Sequence, residues 1–167
     1  TINVYYTTSG GALCSGNPSA ACRVTDARSI TTTYTYDALN RVSGKSYSNG
    51  DSSVTYSYDQ TSCNSLTITN GKGRRTCMSD GSGTTAWSYD AEGHVLTEQR
   101  TIGSVTKTIS YTYNPNGSIS HITYPSGLGI TYYYNAAGRP TQVSCTTWPC
   151  YYYTGAFASS GTYAADG

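Results

Sequence analysis

Six cysteines, two histidines and a set of carboxylates in recurring phrases are the groups whose types and spacing bear on chemistry in this sequence. Cysteines can bind metal, act as nucleophiles or form disulfides. Zinc fits poorly, because there is no Cys-x-x-Cys and His94 and His121 fall on separate predicted strands. Disulfides fit better. Cys14 and Cys22 flank the turn-forming Gly16-Asn17-Pro18, and Cys145 and Cys150 flank Thr146-Thr147-Trp148-Pro149. Cys63 and Cys77 are equidistant from Asn70, the centre of a predicted hairpin turn, so they should face each other across paired strands. The spacing predicts three local bridges, 14–22, 63–77 and 145–150. Such bridges imply an oxidising compartment, the periplasm or outside the cell.

Catalytic arrangements are harder to find. A hydrolase needs a nucleophile, a base and an orienting group around a pocket. Neither histidine has a recognisable partner motif, and no Gly-x-Ser-x-Gly elbow occurs. Asn70-Gly71-Lys72-Gly73-Arg74-Arg75 is basic and glycine-rich but lacks phosphate-loop spacing, so it reads as a hairpin tip. Asp90-x-Glu92 lacks the spacing of an EF-hand loop. The expectation is a protein that is not an enzyme and has no cofactor and no metal.

The acidic residues belong to a phrase that recurs. YTYDALNR starts at Tyr34, YSYDQTS at Tyr56, WSYDAEGH at Trp87, YTYNPNGS at Tyr111 and YYYNAAGR at Tyr132. The intervals are 22, 31, 24 and 21 residues, the mark of a repeat architecture. Aromatics two apart lie on one face of a strand. Ile30, Thr32, Tyr34 and Tyr36 make one such face; Val54, Tyr56 and Tyr58, then Ile109, Tyr111 and Tyr113, then Ile130, Tyr132 and Tyr134, make others. The Asp or Asn that follows can bond its own backbone and open a turn. Three residues later comes Asn40, Gly93, Gly117 or Gly138, types that accept positive φ. Turn chemistry therefore accounts for Asp37, Asp59 and Asp90 without a catalytic role. Ser48-Asn49-Gly50-Asp51, Asn70-Gly71-Lys72-Gly73, Asp80-Gly81-Ser82-Gly83 and Pro125-Ser126-Gly127 read as the return hairpins. No stretch has a capped helical period.

Tyr-x-Tyr-Asp-x-x-Gly-Arg, between a strand out and a strand back, resembles the Rhs or YD repeat. The matching residues are Tyr34, Tyr36, Asp37, Asn40 and Arg41; Trp87, Tyr89, Asp90 and Gly93; Tyr111, Tyr113, Asn114 and Gly117; and Tyr132, Tyr134, Asn135, Gly138 and Arg139. The resemblance covers about residues 30–143. The copy at Tyr56, Tyr58 and Asp59 departs from it: Ser62 stands where glycine is expected, and the longer interval suggests an inserted hairpin around Asn70-Gly71. The resemblance implies a long curling sheet of hairpins, of the kind that winds into hollow shells in bacterial toxin complexes, polymorphic toxins and teneurins.

The expected fold is all-β, an array of antiparallel hairpins forming a twisted, curling sheet or solenoid-like layer. Strands are predicted at 30–36, 42–48, 52–58, 64–69, 74–79, 84–89, 94–101, 105–113, 118–124 and 128–134. The repeat domain is 30–143, flanked by non-repeat segments 1–29 and 144–167. Net charge is +1 with 11% charged residues, which steers the chain toward neither nucleic acid nor an anionic membrane. The 18 tyrosines against one phenylalanine suit a half-wet sheet. No apolar run is long enough for a membrane-spanning helix. No signal-peptide pattern opens the chain, so Thr1 reads as a processed start or a cut edge. The uncharged, strand-prone ends suggest strand addition between copies, through Ile2, Val4 and Tyr6 or through Tyr151 and Tyr153. The functional expectation is an extracellular structural subunit that assembles with itself into a filament or layer, with surface glycans as a further partner. The alternative is a piece of an Rhs-type toxin shell or a glycan-binding adhesin.

Overall fold

A computed structural model describes residues 1–147 and 156–158. The described residues form strands, turns and loops with no helix. The strands are β1 (Asn3–Tyr5), β2 (Arg23–Thr25), β3 (Thr31–Tyr36), β4 (Val42–Tyr47), β5 (Val54–Tyr58), β6 (Ser62–Cys63), β7 (Leu66–Thr67), β8 (Arg75–Asp80), β9 (Gly83–Tyr89), β10 (Val95–Ile102), β11 (Val105–Tyr113), β12 (Ile119–Thr123), β13 (Gly129–Tyr134), β14 (Pro140–Thr147) and β15 (Ala156–Ala158). All except β6 and β7 join one 13-stranded antiparallel sheet in chain order, and its first and last strands do not pair with each other. The fold is a curled sheet of hairpins that does not close into a barrel.

The sheet has two unlike faces. One face carries aromatic rings among aliphatic and charged side chains: Tyr34 pairs with Lys45, Tyr56 with Met78, Trp87 with Glu98, and Tyr111 with Ile122 and then Ile130. The other is a face of small hydroxyl side chains. Thr35, Gly44, Thr55, Ser79, Thr84, Thr101 and Thr106 form one uncharged row across seven strands. Most of the described tyrosines are only half-buried, as a single layer of sheet requires.

Nine of the ten predicted strands lie in the sheet, with ends within two residues of the prediction. The exception is 64–69. Strand β5 pairs directly with β8, placing Tyr56 opposite Met78 and Thr55 opposite Ser79. That register keeps the aromatic side chains on one face, since a one-residue slip would reverse them. It expels the residues between Asp59 and Arg74 from the sheet plane. They fold instead into the small β6–β7 ladder, turning at Asn64-Ser65 with Asn64 at φ 54°. The inserted hairpin is therefore centred on Asn64-Ser65, not on Asn70-Gly71. It lies on the hydroxyl face, where Cys63, Ile68 and Ala86 form a buried cluster with Leu66 and Cys77 packed against it.

The sheet also runs across both segment boundaries read from the sequence. Strands β1 and β2 continue it before residue 30, and β14 carries it past residue 143. Strand β14 begins with Pro140, a strand-start position where the missing N–H is tolerated.

Candidate functional site

The recurring turn is the best-defined local structure in the chain. Asp37 N donates to Arg41 O at 2.9 Å and Asn40 N donates to Asp37 O at 2.9 Å. The Asp37 carboxylate closes the turn by accepting from Leu39 N and Arg41 N, each at 2.9 Å. Asn40 takes φ 61°, the left-handed conformation foreseen at that position. Asp90 repeats the design, accepting from Gly93 N at 2.7 Å and His94 N at 2.8 Å. Asn135 accepts from Ala137 N and Arg139 N, each at 3.0 Å. In the remaining turn Asn114 instead donates its amide to Ser118 Oγ at 2.9 Å.

Hydrogen bonding to the ionised form holds these carboxyls below their ordinary range. For Asp37 the leading cause is the bond from Arg41 N, and for Asp59 it is the guanidinium of Arg41. Burial alone would raise Asp90, but its bonds from His94 and Gly93 outweigh that and lower it. Each carboxylate is thus occupied in holding its own turn.

Each turn is followed by a β-bulge. The register slips between Thr35 and Tyr36, Ser57 and Tyr58, Val95 and Thr97, Thr112 and Tyr113, and Tyr133 and Tyr134. A bulge leaves a backbone group outside the ladder, and the second tyrosine of the next copy takes it up. Tyr58 Oη donates to Val42 O at 2.8 Å, Tyr113 to Val95 O at 2.8 Å and Tyr134 to Ile119 O at 2.7 Å. Tyr89 donates to Arg75 O in the same way, and Tyr36 reaches Ala21 O at 2.7 Å. From the second copy on, each is pinned to the one before it by a phenolic hydroxyl, and the first is pinned in the same way to the segment ahead of it.

The residue after the turn glycine supports the same tyrosine. The Arg41 guanidinium lies 4.2 Å from the Tyr58 ring centroid while bonding Asp37 at 2.7 Å and Asp59 at 2.6 Å. Arg74 stands 5.6 Å from Tyr89, and His94 stacks on Tyr113 at 4.6 Å. The following turn must leave room for these side chains. A Cβ on Gly93 would lie 2.4 Å from Arg74, and one on Gly117 would lie 3.0 Å from His94. The turn glycine is thus needed both for positive φ and for clearance.

An RHS repeat family model matches residues 23–52 and 113–147. Those two stretches carry the Rhs repeat. A comparison with curated proteins found no match. Among solved structures, one of TcdB2-TccC3-TEV is similar over 99% of this chain and 9% of that one, at 15% identity and TM-score 0.73. One of TcdB2-TccC3-Cdc42 is similar over 77% of this chain and 7% of that one, at 14% identity and TM-score 0.65. This chain spans less than about a tenth of those chains, and at such identities the likeness is one of fold.

The divergent copy at Tyr56 proves to be complete but interrupted. Asp59 N donates to Arg74 O at 3.2 Å, and Gly73 N donates to the Asp59 carboxylate at 2.5 Å. Gly73, at φ 78°, holds the place of the repeat glycine and Arg74 that of the arginine. They stand fourteen and fifteen residues after Asp59, against three and four after Asp37 for Asn40 and Arg41, with the insertion between. Ser62 belongs to β6 and takes no part in the turn. The sequence signal was present in Gly73-Arg74, but it read as a hairpin tip.

The structure joins Cys14 to Cys22 and Cys63 to Cys77, with Cα atoms 5.6 and 5.9 Å apart. The second bridge does not cross a hairpin centred on Asn70. It fastens the insertion, through Cys63, to β8 of the main sheet. The predicted 145–150 bridge involves Cys150, which lies outside the described residues, as do Tyr151 and Tyr153. Ile2, Val4 and Tyr6 lie in or beside β1 at the sheet edge and are 68%, 45% and 51% exposed. The first disulfide loop also docks on an Rhs turn: Ser15 Oγ and Gly16 N donate to Asn40 Oδ1 at 2.8 and 2.7 Å. That contact employs an amide at a position where other copies have glycine.

Proposed function

We propose that this chain is a stretch of wall in an Rhs-type shell, with a structural rather than a catalytic role. The observation that carries the reading is the series of Tyr hydroxyl staples linking each copy to the preceding one in an open sheet. A sheet built this way extends by adding repeats, with no intrinsic stopping point. The similarity to small parts of much longer TcdB2-TccC3 chains supports the same reading. The two disulfides suit an extracellular, oxidising setting. Partners in this reading are neighbouring repeats and the other chains of a secreted assembly. The turn carboxylates are engaged in backbone hydrogen bonds, which favours structure over catalysis.

The exposed β1 edge keeps the filament reading testable beside the wall reading. Denaturing electrophoresis and negative-stain microscopy of native material distinguish the two. A chain far larger than 17.8 kDa and closed hollow particles are expected. Long polymers of a 17.8 kDa subunit would overturn the wall reading in favour of a filament.

A further inference from the structure

On the aromatic face, rings and cations alternate strand by strand: Tyr34 on β3, Lys45 on β4, Tyr56 on β5, Arg75 on β8 and Trp87 on β9. Lys45 Nζ lies 5.8 Å from the Tyr34 ring centroid and 5.7 Å from that of Tyr56. The Arg75 guanidinium lies 5.5 Å from Tyr56 and 4.7 Å from Trp87. Each cation is held between two rings. Neither takes part in an ion pair among the described residues, unlike Arg41 and Arg100. Arg75 is exposed and Lys45 half-buried. Glu98, opposite Trp87, bounds the ladder on its far side.

We propose that this ladder binds a linear anionic polysaccharide in which acidic and neutral sugars alternate. Lys45 Nζ and the Arg75 guanidinium lie 5.7 and 5.5 Å from the Tyr56 ring centroid, so about 11 Å at most separates them. Lys45 and Arg75 are separated by β5 alone. A polysaccharide with an acid on every second ring presents its charges at a comparable step. Its carboxylates accept charge-assisted hydrogen bonds from Lys45 and Arg75, and the intervening neutral sugars lie along the edges of Tyr56 and Trp87. Rings that already hold the cations in place reduce the ordering cost of binding. Single-stranded RNA carries a charge on every unit and would leave alternate phosphates over rings.

Binding is measured by calorimetry on the intact chain, using hyaluronate as the alternating probe. Neutral dextran, poly-L-glutamate and poly(U) serve as comparisons. Hyaluronate should bind and dextran should not, and added salt should weaken the complex. Lys45→Gln and Arg75→Gln should each lower affinity about tenfold, with circular dichroism confirming an intact sheet. Lys107→Gln, on β11 outside the ladder, should leave affinity unchanged. If Arg75→Gln fails to fold, Lys45→Gln alone decides. Absent hyaluronate binding, or binding indifferent to the substitutions, overturns the proposal. Equally tight binding of poly-L-glutamate or poly(U) overturns the sugar assignment. The readout is independent of whether the chain is part of a shell.

Discussion

The second tyrosine of each repeat acts through its hydroxyl as well as its ring. Tyr58→Phe keeps the ring under Arg41 but leaves Val42 O without its donor. It should cost about 1 kcal/mol, the usual worth of one such bond, read from urea denaturation. Tyr133→Phe, on an exposed ring, should change stability by less than about 0.5 kcal/mol. Equal losses from the two substitutions would remove the staple from the account. Gly93→Ala should be worse than either, because it combines φ 99° with a clash against Arg74. A loss above about 1 kcal/mol is expected, measured the same way.

At the scale of the element, the insertion is an addition to an intact repeat. Deleting residues 60–70 would leave Asp59-Gly71-Lys72-Gly73-Arg74, which has the spacing of the other turns. With Cys77→Ser to avoid a free thiol, that chain should keep its β circular dichroism and the ladder between β5 and β8. Loss of the sheet would show that the insertion is part of the fold's support. Its burial of Ile68 against Ala86 gives it a stabilising share, so a lower melting temperature is expected. In the full chain, replacing both Cys63 and Cys77 by Ala should cost about 2–3 kcal/mol. Hydrogen exchange should rise in residues 60–72 while β9 and β10 stay protected.

For the whole molecule, the ionisable groups define a plateau of stability. Asp37, Asp59, Asp80 and Asp90 lie below the ordinary carboxyl value of 3.8, with Asp80 lowered to about 2, chiefly by Ser82. Groups lowered in this way stabilise the fold above that value and cease to do so as pH falls through their folded values. Burial raises Tyr36, Tyr89, Tyr111, Tyr113 and Tyr132 above 10.0. Their contribution is complete below that pH and is lost as pH rises through the raised values. The urea midpoint should therefore be flat between about pH 4 and 10 and fall on both sides. A midpoint that declines steadily across the plateau would contradict this.

The sequence by itself determined the hairpin array, the turn positions and the two-faced strands. These are local properties: side-chain alternation has a period of two residues, and turns depend on which residues accept positive φ. Asn40, Gly93, Gly117 and Gly138 were legible for that reason. The staples were only partly legible. Their trace is that the second aromatic is tyrosine in all five copies while the first is once Trp87, but the acceptor is a carbonyl in the preceding copy, which no local pattern reveals. The course of residues 60–72 required tertiary structure. Read locally, Asn70-Gly71 is a hairpin tip and Gly73-Arg74 its descending side. In the folded chain, the register that keeps Tyr56 and Met78 on the aromatic face brings Arg74 beside Asp59. Pairing across the whole sheet outweighs the preference of one short turn, so the insertion leaves the plane and the repeat closes behind it.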